Sequence, residues 1–101
     1  MQITFTARHF EMTDGQRRHA EQELNRLNRY IDHILSAEVI IVHEKHGYQV
    51  ELNWGVDGTI LTSKDEDAEL FVAVDKAAAK LERQLKKRND KLHDHHPKGT
   101  V

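Results

Sequence analysis

The chain has 101 residues, no cysteine, and 15 Lys+Arg against 17 Asp+Glu, a formal net charge of −2. That length suits one domain with a single two-layer core. The missing thiols exclude disulfides and thiolate metal centres, and no apolar run reaches the roughly 18 residues of a membrane helix. The opening MQITFTARHF lacks the regions of a signal peptide, so the expected compartment is the cytoplasm.

Residues 2–7 alternate Ile3 and Phe5 with Thr4 and Thr6, the pattern of a strand with one buried face. Thr13 followed by Gln16 reads as a capping box that starts a helix. Ala20, Leu24, Leu27, Ile31 and Ile34 then form an apolar stripe, predicting a helix to about residue 35. Residues 37–45 are rich in β-branched side chains and read as a second strand. Tyr48, Val50, Leu52 and Trp54 alternate with polar residues in a third strand, where Tyr48 and Trp54 are expected in the core. Asp57-Gly58 is a two-residue hairpin signal, and residues 59–64 return as the fourth strand. The acidic run 63–67 is expected to end that strand and cap a helix beginning near residue 68. Phe71, Val74, Ala78, Leu81 and Leu85, then weakly Leu92, are its expected core stripe.

The order β-α-β-β-β-α predicts an α+β fold: a mixed four-stranded sheet with two helices packed on one face. The first helix serves as a parallel crossover. Residues 1–92 are expected to form the single domain and 93–101 a flexible tail.

Charge is unevenly placed. Residues 76–91 hold seven cations against two carboxylates, while the rest holds eight cations against fifteen carboxylates. Lys76, Lys80, Arg83, Lys87 and Lys91 follow at helical spacings almost opposite the apolar stripe, with Lys86 and Arg88 beside them. On the first helix Arg18, Gln22, Asn25, Arg26, Arg29 and His33 face away from Leu24 and Leu27. Neighbouring basic faces are therefore expected. A second helix of residues 68–92 spans roughly 37 Å against roughly 20 Å for six-residue strands, so it should overhang the sheet. Basic faces of this kind suit a phosphate backbone, bound in a salt-dependent and largely sequence-independent way. Arg forks and Lys point charges both serve that purpose. The plain alternative is a solvated helix face favoured by the macrodipole.

The segment Glu69 to Asp75, then Lys80-Leu-Glu-Arg-Gln-Leu-Lys-Lys87 and Asp90-Lys-Leu92, resembles the second helix of the ribosome hibernation promoting factor family. The Met-Gln-Ile opening and the element order fit it too, over residues 1–92. The resemblance implies a factor that acts when growth stops. It would bind the 30S subunit and the 70S ribosome in the decoding channel and exclude mRNA and tRNA. Its basic helix faces would contact 16S rRNA. By resemblance the contact residues are Lys80, Arg83, Lys86, Lys87 and Lys91, with Lys76, Arg88, Arg18, Arg26 and Arg29. It further implies a short form that needs a separate ribosome modulation factor to pair ribosomes.

Other readings find less in the residues. His93, His95 and His96 with Asp94 lack the rigid second shell of a closed metal site. They more readily add charge beside RNA near an imidazole pKa of about 6.5. No metal, cofactor, small-molecule substrate or membrane partner is expected. His43 and Glu44 point to opposite strand faces, and no phosphate loop, nucleophile elbow or HExxH motif is present, so no enzymatic activity is expected. The remaining alternatives are a non-ribosomal protein-interaction module and a double-stranded-RNA-binding domain. The latter has α-β-β-β-α order, but residues 64–69 are acidic where its Lys-rich loop would lie.

Overall fold

A computed structural model describes the backbone of residues 2–30, 34–56 and 58–100 and the side chains of 2–30, 36–56 and 58–88. Ile31, His33, Asp57 and the side chains of Ile34, Lys91, Leu92, His93, Asp94, His95 and His96 lie outside the described residues. The elements are β1 (Gln2–Arg8), α1 (Asp14–Arg26), a 3-10 turn (Leu27–Tyr30), β2 (Ile34–Glu44), β3 (Gly47–Val56), β4 (Thr59–Asp67) and α2 (Leu70–Thr100). They form the expected α+β fold, a four-stranded mixed sheet in the order β1-β2-β3-β4. β1 is parallel to β2, and β2–β3 and β3–β4 are antiparallel.

The sequence pattern places most of the core. Val39 and Ile41 of β2, Val50, Leu52, Trp54 and Val56 of β3, and Ala20, Leu24 and Leu27 of the first helical segment are buried. Leu70, Ala73, Val74, Ala77, Ala78, Leu81 and Leu85 of α2 close over them, and Tyr48 packs at the margin. Burying such an aliphatic or aromatic side chain contributes about 1.5–3 kcal/mol. The buried Ser63 hydroxyl donates to the Ala77 carbonyl at 2.9 Å, tying β4 to α2.

Thr13 caps α1 as expected. Its hydroxyl accepts from the Gln16 N–H at 3.1 Å, and the Gln16 side chain accepts from the Thr13 N–H at 2.9 Å. α1 ends at Arg26, however, and not near residue 35. The chain tightens into the 3-10 turn, and Ile34 pairs with Val56 as the first residue of β2. The 31/34 spacing imitates a helix, but the pairing with β3 is the stronger demand.

β4 also runs further than expected, to Asp67, because Tyr48 pairs with Asp67 at the far end of the hairpin. α2 consequently begins at Leu70, not residue 68, and Leu70 takes the core position expected of Phe71. Phe71 lies one step round the helix, 47% exposed, with its ring 4.7 Å from that of His19. Helical backbone continues to Thr100, beyond the expected end near residue 92.

The β2–β3 turn has one position open only to glycine. Gly47 has φ +150°, and a Cβ there would sit 2.3 Å from the Asp67 carbonyl oxygen and 2.7 Å from Ala68 Cα. Those atoms are main chain at the β4–α2 junction and cannot swing aside.

Candidate nucleic-acid interface

Both helices lie on one sheet face and run parallel to each other, so their outward faces are neighbours. Among the described residues, three polar contacts fix the seam between them. His19 Nε2 lies 2.6 Å from Asp75 Oδ1. The Tyr30 hydroxyl donates to Glu82 at 2.8 Å, and the Arg29 guanidinium donates to the same carboxylate at 3.3 Å and to Tyr30 Oη at 3.0 Å. The Tyr30 hydroxyl, with Arg29 and Arg26 nearby, holds the Glu82 carboxyl below its usual range. Glu23 accepts from Arg26 at 3.1 Å. The two basic faces are thus joined along a seam whose acids are already engaged, Glu23 and Glu82 by arginines and Asp75 by the His19 ring, not fused into one positive surface.

The cations of α2 divide by position. Lys76 donates to the Glu66 carbonyl at 3.0 Å and lies near Asp65 and Asp67 at 3.7 and 3.5 Å. Lys80 donates to the Lys64 carbonyl at 2.9 Å and sits 3.3 Å from Asp65. Gln84 continues the series, donating to the Thr62 carbonyl at 2.8 Å. Four helical residues rise about 6 Å and two strand residues about 6.6 Å. Positions 76, 80 and 84 therefore stay in step with carbonyls 66, 64 and 62 of the edge strand. These side chains cover the open edge of β4, which would otherwise be a template for foreign strands. The Glu66 N–H and then Lys80 hold the Asp65 carboxyl below its usual range; the Glu69 N–H does the same for Asp67, helped by Lys76.

Arg83, Lys86 and Lys87 are exposed, as is Arg18 on α1. Among the described residues these four form no ion pair or side-chain hydrogen bond. Lys86 follows Glu82 by one turn on the side of α2 that faces Tyr30. Arg88 is half-buried, and Lys91 lies outside the described side chains. The strands hold seven to eleven residues, longer than the six expected, so the sheet supports more of α2. By the same 4:2 step the end of β4 at Thr59 is reached near residue 90. The described cations 83, 86 and 87 therefore ride on a supported part of the helix, and the stretch without a strand beneath it begins later than expected.

The opposite sheet face is a polar network. Asn53 donates to Glu38 and Glu51 at 3.2 and 3.0 Å, Thr62 donates to Asn53 at 2.7 Å, and Lys64 lies 3.6 Å from Glu51. Glu38 and Glu51 thus stand on the outer sheet face, while Arg83, Lys86 and Lys87 are exposed on α2. His43 stacks on Tyr48 at 4.5 Å, while its neighbour Glu44 points the other way.

Sequence reasoning missed the seam contacts, because His19 with Asp75 and Tyr30 with Glu82 are far apart in the chain. The three donor types His19, Glu23 and Asp75 meet there, with ligand atoms all within 4.8 Å of one another. The i, i+4 spacing of His19 and Glu23 was readable; the arrival of Asp75 was not.

The comparisons agree with this architecture. A family model described as Sigma 54 modulation protein / S30EA ribosomal protein matches residues 3–93. The protein named ribosome hibernation promoting factor in Azotobacter vinelandii is 33% identical over 91 residues, covering 90% of this chain and 85% of that one. The protein of the same name in Escherichia coli is 30% identical over 95 residues, covering 94% of this chain and 100% of that one. The crystal structure of the Thermus thermophilus Protein Y N-terminal domain superposes with a TM-score of 0.79 at 34% identity, covering 86% of this chain and 98% of that one. The chain belongs to the Sigma 54 modulation protein / S30EA ribosomal protein family.

Proposed function

We propose that this protein is a ribosome hibernation factor that sits in the decoding channel of the small subunit. There it excludes mRNA and tRNA and keeps the ribosome inactive when growth stops. The observation that carries the reading is the pairing of family membership with a helix face whose cations Arg83, Lys86 and Lys87 have no internal partner among the described residues. Such side chains are available to phosphates at no cost in broken contacts, and each neutralised phosphate releases counterions.

In this reading Arg83, Lys86 and Lys87 make the primary contacts with 16S rRNA. Arg18, Arg26, Arg29, Arg88 and Lys91 extend the contact along both helices. Arg26 and Arg29 reach phosphate while keeping one edge of the guanidinium on Glu23 and Glu82, since the fork has five donors. Lys76 and Lys80 contribute less, because their ammonium groups already cap β4 carbonyls. The acidic sheet side faces away from RNA and limits binding to RNA of the wrong shape. No catalytic step is involved. Pairing of ribosomes is assigned to a separate modulation factor.

The test is cosedimentation with purified 30S subunits and 70S ribosomes, followed by competition with mRNA and initiator tRNA. The reading predicts pelleting with both particles and displacement of the protein by mRNA and tRNA. A protein that pellets equally well with mRNA and tRNA in place refutes the channel assignment. Tight binding to naked duplex RNA instead favours the double-stranded-RNA alternative.

A further inference from the structure

We propose that His19, Glu23 and Asp75 form a Zn2+ site that clamps α1 to α2. The inference stands on the helix seam alone and does not depend on the ribosome reading. Zinc takes imidazole nitrogen and carboxylate oxygen as ligands, and both kinds are present. His19 and Glu23 are four residues apart on α1, so they stand one above the other on the same face. Asp75 reaches the same point from α2, with its Oδ1 2.6 Å from His19 Nε2. The three donor atoms lie within 4.8 Å of one another. Bonds of about 2.0–2.1 Å in a tetrahedral arrangement place ligand atoms about 3.3 Å apart. His19 and Asp75 need to open slightly and Glu23 to close in.

The surroundings favour the site. The side chains of His19 and Asp75 are 28% and 51% exposed, and that of Glu23 is 22% exposed. His19 and Glu23 are thus partly shielded at the seam and Asp75 is exposed, which leaves one side open to water for a fourth position. The Phe71 ring lies 4.7 Å from the His19 ring at 54° and restricts its rotation. This gives a physical role to an aromatic residue left half-exposed at the start of α2. Arg26 is the competitor for Glu23 at 3.1 Å, but it is itself 59% exposed and can swing into solvent.

The experiment uses the full chain with His93, His95 and His96 replaced by alanine, which removes the tail imidazoles as competing ligands. Thermal unfolding is followed with and without Zn2+, with Mg2+ as control, in this protein and in its His19→Gln, Glu23→Gln and Asp75→Asn variants. The readout is the metal-induced increment in Tm, not Tm itself, so a variant that is merely less stable remains informative. At a few-fold excess over Kd the expected increment is about 4–8 °C. It should be reversed by EDTA, and it should be absent in His19→Gln and Asp75→Asn and reduced in Glu23→Gln. An absent increment, an equal one with Mg2+, or an unchanged one in His19→Gln and Asp75→Asn overturns the proposal.

Discussion

Replacing Arg83, Lys86 and Lys87 together by glutamine removes three positive charges from α2 without removing an intramolecular ion pair or side-chain hydrogen bond among the described residues. All three are exposed. Folding stability should therefore stay within about 0.5 kcal/mol of the parent. Binding to small subunits should change in a specific way. Each phosphate contact contributes about 0.7–0.9 to the slope of log K against log salt, so losing three flattens the slope by about 2–3. Over a fourfold rise in salt the parent should lose about 20–40 times more affinity than the variant loses. The companion variant Lys76→Met/Lys80→Met should behave differently. Its lysines are 45% and 48% exposed, so each solvent-screened ion pair is worth at most about 1 kcal/mol. It also uncovers two edge carbonyls. Its Tm should fall and its tendency to aggregate rise, while its salt slope changes less. The assay is a fluorescence-anisotropy titration against 30S subunits at four or more salt concentrations, beside thermal unfolding of each protein. An unchanged slope in the triple variant refutes the assignment of these cations, and an equal or larger slope change in the Lys76/Lys80 pair refutes the division between edge guards and phosphate contacts.

Gly47→Ala should cost about 1–3 kcal/mol in urea unfolding, since φ +150° and the Asp67 carbonyl both oppose a Cβ. Leu81→Ala, at a fully buried position of α2, should cost about 2–5 kcal/mol. Acid should weaken the fold through three carboxyls. Asp65, Asp67 and Glu82 are held below their usual range by the Glu66 N–H, the Glu69 N–H and the Tyr30 hydroxyl respectively. A depressed folded-state value gives stability that is present above the unfolded-state value and is lost as pH falls through the folded one. Urea midpoints should hold from neutral pH to about pH 4 and fall below it. The decline should be shallower in Glu82→Gln, which no longer has the Glu82 titration.

Much of the fold was legible because β1 and β3 alternate strictly and Thr13/Gln16 mark the start of α1. The β3–β4 hairpin was announced by the Asp-Gly pair, and Gly58 has a positive φ of 78°. The errors arose where one spacing serves two structures. Ile31 and Ile34 continue a helical stripe on paper, but Ile34 belongs to β2 because Val56 lies opposite it. Phe71 fits the α2 stripe by hydrophobicity, yet Leu70 occupies that place. The basic face was visible as a count of cations, but its division was not. Whether a lysine meets a phosphate or a strand carbonyl depends on the β4 register, and nothing local to residues 76–84 encodes that register. The seam pairs His19–Asp75 and Tyr30–Glu82 were hidden for the same reason, since they form only when two helices far apart in sequence are laid side by side.

The chain has no cysteine, so single-cysteine variants carrying a tethered hydroxyl-radical source can report directly which side of the molecule meets RNA. Ala79→Cys places the source on the outer face of α2 and Thr4→Cys places it on the opposite sheet face; both positions are exposed. With each variant bound to 30S subunits, the account predicts strong, local cleavage of 16S rRNA in the decoding channel from position 79 and weak or more distant cleavage from position 4. Cleavage of channel rRNA from position 4 with none from position 79, or cleavage confined to rRNA outside the channel, would contradict it.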